Sequence, residues 1–152
     1  MATPDYTKTE INFSYNKLEE LPDDLHLYTH LQILDCESNK LTQLNNLPPI
    51  IKILFCHNNN ITHLDNLPPN LKILNCITNQ LTQLDNLPQS LIELYCVRNR
   101  LTHLDNLPQS LKILDCCSNP LQYDFKPTLE NIRNYLASVA SVASIASITS
   151  IG

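Results

Sequence analysis

The sequence predicts a solenoid of the α/β type that is mostly β: an arc with a parallel concave sheet, an extended convex side and a C-terminal capping helix. Three observations predict it. First, the pattern L-x-x-L-x-C-x-x-N-x-L-T-x-L-x-N-L-P-x-x recurs every 20 residues, starting at Leu31, Ile51, Leu71, Leu91 and, before it fades, Leu111. Second, around positions three to seven of each copy the fourth and sixth residues are constant Leu and Cys, while the third, fifth and seventh vary. That is the two-residue alternation of a strand with one face turned inward. Third, the return path carries Leu47-Pro48, Leu67-Pro68, Leu87-Pro88 and Leu107-Pro108. Proline fixes φ and donates no hydrogen bond, so this side is extended backbone rather than helix.

In chain order, residues 1–10 form a lead-in with no apolar run, so no secretory signal is expected. The repeat region covers 8–124 and holds about six coils. Ile11, Phe13, Asn16, Leu18 and Leu21 fit positions four, six, nine, eleven and fourteen of an irregular first coil, which the insert Pro22 to His30 lengthens. Four regular coils follow at 31–50, 51–70, 71–90 and 91–110, and a last one at 111–124. A coil of this length cannot bury its own leucines and must stack on the next, with strands about 4.8 Å apart and an arc roughly 25 Å along its axis. Cys36, Cys56, Cys76, Cys96 and Cys116 fill the inward sixth position. Asn39, Asn59, Asn79, Asn99 and Asn119 fill the ninth, where the chain leaves the strand and an amide can pair with backbone groups freed by the bend.

Residues 125–137 read as the capping helix. Thr128 is placed to cap the first turn, and Leu129, Ile132, Tyr135 and Leu136 fall on one face, which covers the open end of the last coil. Residues 138–152 are low in complexity, with Val139, Val142, Ile145, Ile148 and Ile151 every third residue among Ala, Ser and Thr. A period of three matches neither helix nor strand. The expectation is a disordered tail or a frayed extension of the cap, a membrane anchor being the sharper alternative.

Composition removes several function classes. Of 152 residues, 43% are apolar, as in a folded domain, and the formal charge is −5. Ten scattered lysines and arginines form no basic stripe, so nucleic acid is not an expected partner. A single glycine rules out glycine-rich phosphate loops. Neither a cofactor nor a small-molecule substrate is expected. Six cysteines, five of them one repeat apart, fit neither zinc spacing nor a disulfide framework, and read as thiols in a reducing compartment. The expected location is therefore cytoplasmic, and the expected state a monomer.

The segment L-x-x-L-x-C-x-x-N-x-L resembles the leucine-rich-repeat consensus over about residues 8–124, with Cys where Leu is commonest at the sixth position. Short coils with Leu-Pro on the return path are similar to bacterial effector leucine-rich repeats. The Asn-rich versions with L-K-I-L-x-C, ending in Y-D-F-x-P-T-L-E-N-I-R, resemble repeat proteins of giant amoeba-infecting viruses, which would make the location a host cytoplasm. The resemblance implies a curved protein-binding scaffold without catalysis.

The concave face is the expected partner site. Alternation turns Ile33, Ile53, Ile73, Glu93 and Ile113 outward at position three; Asp35, Phe55, Asn75, Tyr95 and Asp115 at five; and Glu37, His57, Ile77, Val97 and Cys117 at seven. Isoleucines together with Phe55, Ile77, Tyr95 and Val97 make a large apolar patch for a soluble monomer, and such patches mark partner sites. Arg98 and Arg100 flank it and could orient an acidic partner. The competing reading is that the isoleucines only pack sideways to complete the sheet. Elsewhere the dull readings win. The cysteine ladder is core filler. His26, His30, His63 and His103 are surface residues, and Asp65, Asp85 and Asp105 cap turns rather than bind Ca²⁺. The alternative function is structural or membrane-associated, with the tail setting location.

Overall fold

Six three-residue strands stack in chain order into one parallel sheet in the computed structural model, which describes residues 4–149 (142–149 by backbone alone). They are β1 (Glu10–Asn12), β2 (Ile33–Asp35), β3 (Ile53–Phe55), β4 (Ile73–Asn75), β5 (Glu93–Tyr95) and β6 (Ile113–Asp115). Each strand pairs with the next at the same repeat position: Leu34 lies opposite Leu54, Leu54 opposite Leu74 and Leu74 opposite Leu94. The first coil enters in register, Ile11 opposite Leu34. Its extra residues are taken up away from the sheet by a 3₁₀ turn at Asp23–Leu27, whose Leu25 is fully buried.

The strands end at position five, earlier than the expected seven, but the ladder runs on. Cys36 N–H donates to Phe55 O at 2.8 Å and Ser38 N–H to His57 O at 2.9 Å. The chain then bends. At position eight Ser38, Asn58, Thr78, Arg98 and Ser118 all adopt left-handed backbone, with φ between 53° and 58°. This conformation costs a non-glycine residue about 1–2 kcal/mol, so the surroundings must enforce it.

Position nine supplies the enforcement. Asn79 Nδ2 donates to the carbonyls of Cys56 at 3.0 Å, Cys76 at 3.1 Å and Ile77 at 3.4 Å, while its Oδ1 accepts from Ile61 N–H at 2.9 Å. Asn59 does the same one coil earlier, and Asn99 and Asn119 one and two coils later. Asn39 makes the corresponding bonds to the first coil through Phe13 O and Leu18 N–H. Each amide thus ties the bend of its own coil to the coil before it. Asn59, Asn79 and Asn99 are buried, where an amide without such partners would be costly.

The interior is a set of stacked slots. Leu31, Ile51, Leu71 and Leu91 at position one, Leu34, Leu54, Leu74 and Leu94 at four, and Cys36, Cys56, Cys76 and Cys96 at six are all fully buried. A buried leucine contributes about 1.5–3 kcal/mol before chain entropy is subtracted. Prolines 48, 68, 88 and 108 close the return side and are buried too.

Helix α1 spans Leu129–Thr149. Thr128 Oγ1 accepts from Asn131 N–H at 3.2 Å, the cap expected from the sequence. Ile132 is fully buried against the last coil. The helix starts after the expected residue 125, because Pro127 and the Thr128 cap set its first turn at Leu129. It also runs past the expected end at 137, through the segment read as a disordered tail or frayed extension. The reason is local: that stretch contains no proline and no glycine before its last residue, and alanine is the best helix former. Ser138 and Ser141 donate their hydroxyls to Tyr135 O and Ser138 O, both at 2.7 Å, inside the helix. Ile151, counted in the period-three pattern, lies outside the described residues.

Candidate binding face on the concave sheet

The strand register brings most of the expected contact residues onto one surface. Ile33, Ile53 and Ile73 form a continuous row along position three, which Glu93 interrupts before Ile113. Asp35, Phe55, Asn75, Tyr95 and Asp115 follow one another along position five. His57, Ile77, Val97 and Cys117 follow along position seven, where N–H groups of the residues at position eight donate to their carbonyls. Arg98 sits apart, exposed on the left-handed bend at the rim. The isoleucines of β2–β4, Phe55, Ile77, Tyr95 and Val97 are half-buried, because neighbouring strands cover their flanks. Ile113, on the edge strand, is 45% exposed. Sideways packing therefore accounts for part of the apolar row, while each outer surface stays open.

The polar groups on this face are held in fixed hydrogen bonds. Tyr95 Oη donates to Glu93 Oε2 at 2.9 Å, which raises the phenol's pKa above its ordinary value and keeps it a neutral donor. His57 Nε2 contacts Glu37 Oε2, and His57 Nδ1 is buried without a partner. Asp35 Oδ1 accepts from Glu37 N–H at 3.0 Å and Asp115 Oδ1 from Cys117 N–H at 3.3 Å. Asn75 makes the same local turn with Ile77 N–H at 3.2 Å. A shallow, open depression of about 250 Å³ lies at the first-coil end, lined by Thr9, Glu10, Gln32, Ile33, Lys52 and Ile53.

Carboxylates are the feature that reading the columns did not assign. Five of them, Glu10, Asp35, Glu37, Glu93 and Asp115, stand on the strands or directly after them. Four were visible at outward positions, and their meaning required the register. Among the described residues no lysine or arginine comes within ion-pair distance of any carboxylate. The pairs present are His57 with Glu37 and, on the return side, His63 with Asp65.

The five ladder thiols are held in their neutral form. Burial pushes Cys36 and Cys76 up to about 12 and Cys116 up to about 11, and raises Cys56 and Cys96 as well. Exposed Cys117 is also raised, chiefly because its thiol hydrogen-bonds to Asp115. All six are free cysteines. Among the described residues no three His, Cys, Asp or Glu side chains gather in a way that could hold a metal ion. Nor is any described helix long and apolar enough to cross a membrane.

The fold has solved counterparts. The Shigella effector leucine-rich-repeat domain superposes with a TM-score of 0.72 at 32% identity, covering 81% of this chain and 54% of that one. YopM from Yersinia enterocolitica gives 0.70 at 31% identity, covering 78% of this chain and 26% of YopM. The functional domain of InlJ from Listeria monocytogenes, which includes a cysteine ladder, gives 0.55 at 31% identity, covering 82% of this chain and 32% of that one. The chain thus spans about half the length of the first of these and a third or less of the others. No protein-family model matches it, and no curated protein does. These neighbours are leucine-rich-repeat proteins, and the chain shares their architecture.

Proposed function

We propose that this leucine-rich-repeat chain is a non-catalytic scaffold that grips a protein partner on its concave sheet. Leucine-rich-repeat architectures serve protein interaction in general, and the observation that carries the reading here is the apolar row. Ile53, Phe55, Ile73, Ile77 and Val97 keep an open outer surface at the centre of the face, although their flanks are covered. An apolar surface left open amid polar neighbours, with aromatic side chains in it, is the usual composition of an interface core. Ile33, His57, Tyr95, Arg98 and Ile113 surround that centre and complete the contact set. The reading goes with a monomer in the cytoplasm (of a host, if the viral resemblance is the right one), acting on neither nucleic acid nor a small-molecule substrate.

The double variant Ile73→Glu with Tyr95→Ala tests it. Both side chains lie on the outer surface, so the variant keeps its fold by circular dichroism and loses partner capture at least tenfold. Capture at the wild-type level by the folded variant would remove the concave sheet as the docking face.

A further inference from the structure

We infer that the partner segment lies across the strands and carries an apolar centre with lysine or arginine on both sides of it. The inference rests on the reading of the concave sheet as the docking face and adds the chemistry of what docks. Its basis is the placement of four carboxylates. Glu10 occupies position three of β1, and Asp35 position five of β2. Glu93 occupies position three of β5, and Asp115 position five of β6. The two pairs have the same diagonal offset and lie at opposite ends of the arc. Between them, β3 and β4 present Ile53, Phe55, Ile73 and Asn75, with no carboxylate.

Four strand spacings separate each acid from its counterpart, a distance of about 19 Å. A helical segment covers that span in about 13 residues, and an extended one in about six. Cations of the chain itself leave these sites free. Lys52 Nζ donates to Gln32 Oε1 at 2.9 Å, and among the described residues no lysine or arginine pairs with any of the four acids. Glu37 is excluded from the set because His57 already engages it. Local hydrogen bonds reach Asp35, Glu93 and Asp115 but bring no positive charge. A neutral or acidic segment seated on Phe55 and Ile73 would therefore desolvate four uncompensated charges, whereas flanking cations match them and hasten encounter. Arg98 on the rim and Lys52, which lines the same depression as Glu10, oppose the four acids without pairing with any of them.

Selection from a displayed library of random peptides, each about 14 residues long, on the full chain tests the inference. The comparison proteins are Ile73→Glu and the triple variant Asp35→Asn, Glu93→Gln, Asp115→Asn. Asn75 already holds the position-five turn in β4, so asparagine preserves the fold there. Support is enrichment of peptides with an apolar centre between basic flanks. Their binding is lost on Ile73→Glu, falls at least tenfold on the triple variant, and weakens as salt rises from about 50 to about 300 mM. Enriched peptides that need Ile73 but are neutral or acidic, and bind the triple variant unchanged, overturn the charge inference and leave the docking face standing. Peptides that ignore Ile73→Glu, or no enrichment at all, overturn both.

Discussion

The middle of the molecule and its C-terminal end are built from the same repeat and behave differently. In β3 and β4 the position-four leucines, Leu54 and Leu74, are fully buried, and Asn59 and Asn79 are buried with them. In the last coil Leu114 and Asn119 are only half-buried, and Ile113 is exposed. The residues are of the same types, so the difference is the missing neighbour. Burial in this fold is conferred by the next coil, which is why single coils are not independent units. The end is closed by imitation. Cys36, Cys56 and Cys76 donate their thiols to the following coil's carbonyls at Phe55, Asn75 and Tyr95, each at 3.4 Å, and Cys116 finds Pro127 O at 3.5 Å instead. Ser90 and Ser110 each donate to one carbonyl of the preceding coil, Pro69 O and Gln89 O, and to one at the start of their own, Leu71 O and Leu91 O. Arg133 of α1 reaches the equivalent groups one coil on, at Gln109 and Leu111, and Pro108 besides. Tyr123 adds a hydroxyl that accepts from Leu104 N–H at 2.8 Å and stacks on Phe125, with ring centroids 4.9 Å apart.

If the neighbour and not the residue sets the energy, matched substitutions in the two regions must differ. The largest gap is expected for Leu74→Asp against Leu114→Asp. The first buries an unpaired charge and abolishes the thermal transition. The second lets the carboxylate reach water, and the protein still melts cooperatively at a lower temperature. Equal melting curves for the two would break the comparison. A smaller gap separates Asn79→Ala, which strands buried backbone groups at a cost of about 3 kcal/mol, from Asn119→Ala at about 1–2 kcal/mol. Urea denaturation measures both.

The finest difference lies in the thiols. A buried thiol held neutral has a folded pKa above its unfolded value near 9, so its contribution is complete below pH 9 and is lost as pH rises through the folded value. That value is about 11 for Cys116 and about 12 for Cys36 and Cys76. Stability should therefore decline above pH 9. As pH rises, a thiol reagent should label exposed Cys117 first, Cys116 next, and the central cysteines only on unfolding. Central labelling that keeps pace with Cys116 in the folded protein contradicts the order.

The arc was legible because a 20-residue period leaves little freedom: the inward slots, the outward columns and the extended return path follow from alternation and proline alone. The left-handed bend at position eight was not, since Thr78 and Arg98 are poor candidates for positive φ and adopt it under the restraint of the asparagines. Helix α1 was underestimated because a spacing of three was weighed above the helix propensity of alanine. On the candidate face the apolar rows could be named from sequence, but their half-burial could not. Glu10 could have been placed from sequence too, since it precedes Ile11 at position four; the irregular first coil was left out of the outward columns, and the pairing of Glu10 with Ile33 puts it back.

Constant repeat length has a further consequence for how such a chain can change. Dropping or copying one whole unit from the middle, such as 71–90, would leave every slot in step and move the two acidic ends closer or farther by a single increment of about 4.8 Å. The ruler against which a visitor is measured can therefore be lengthened or shortened in whole notches by recombination at the gene, with no new interior to invent.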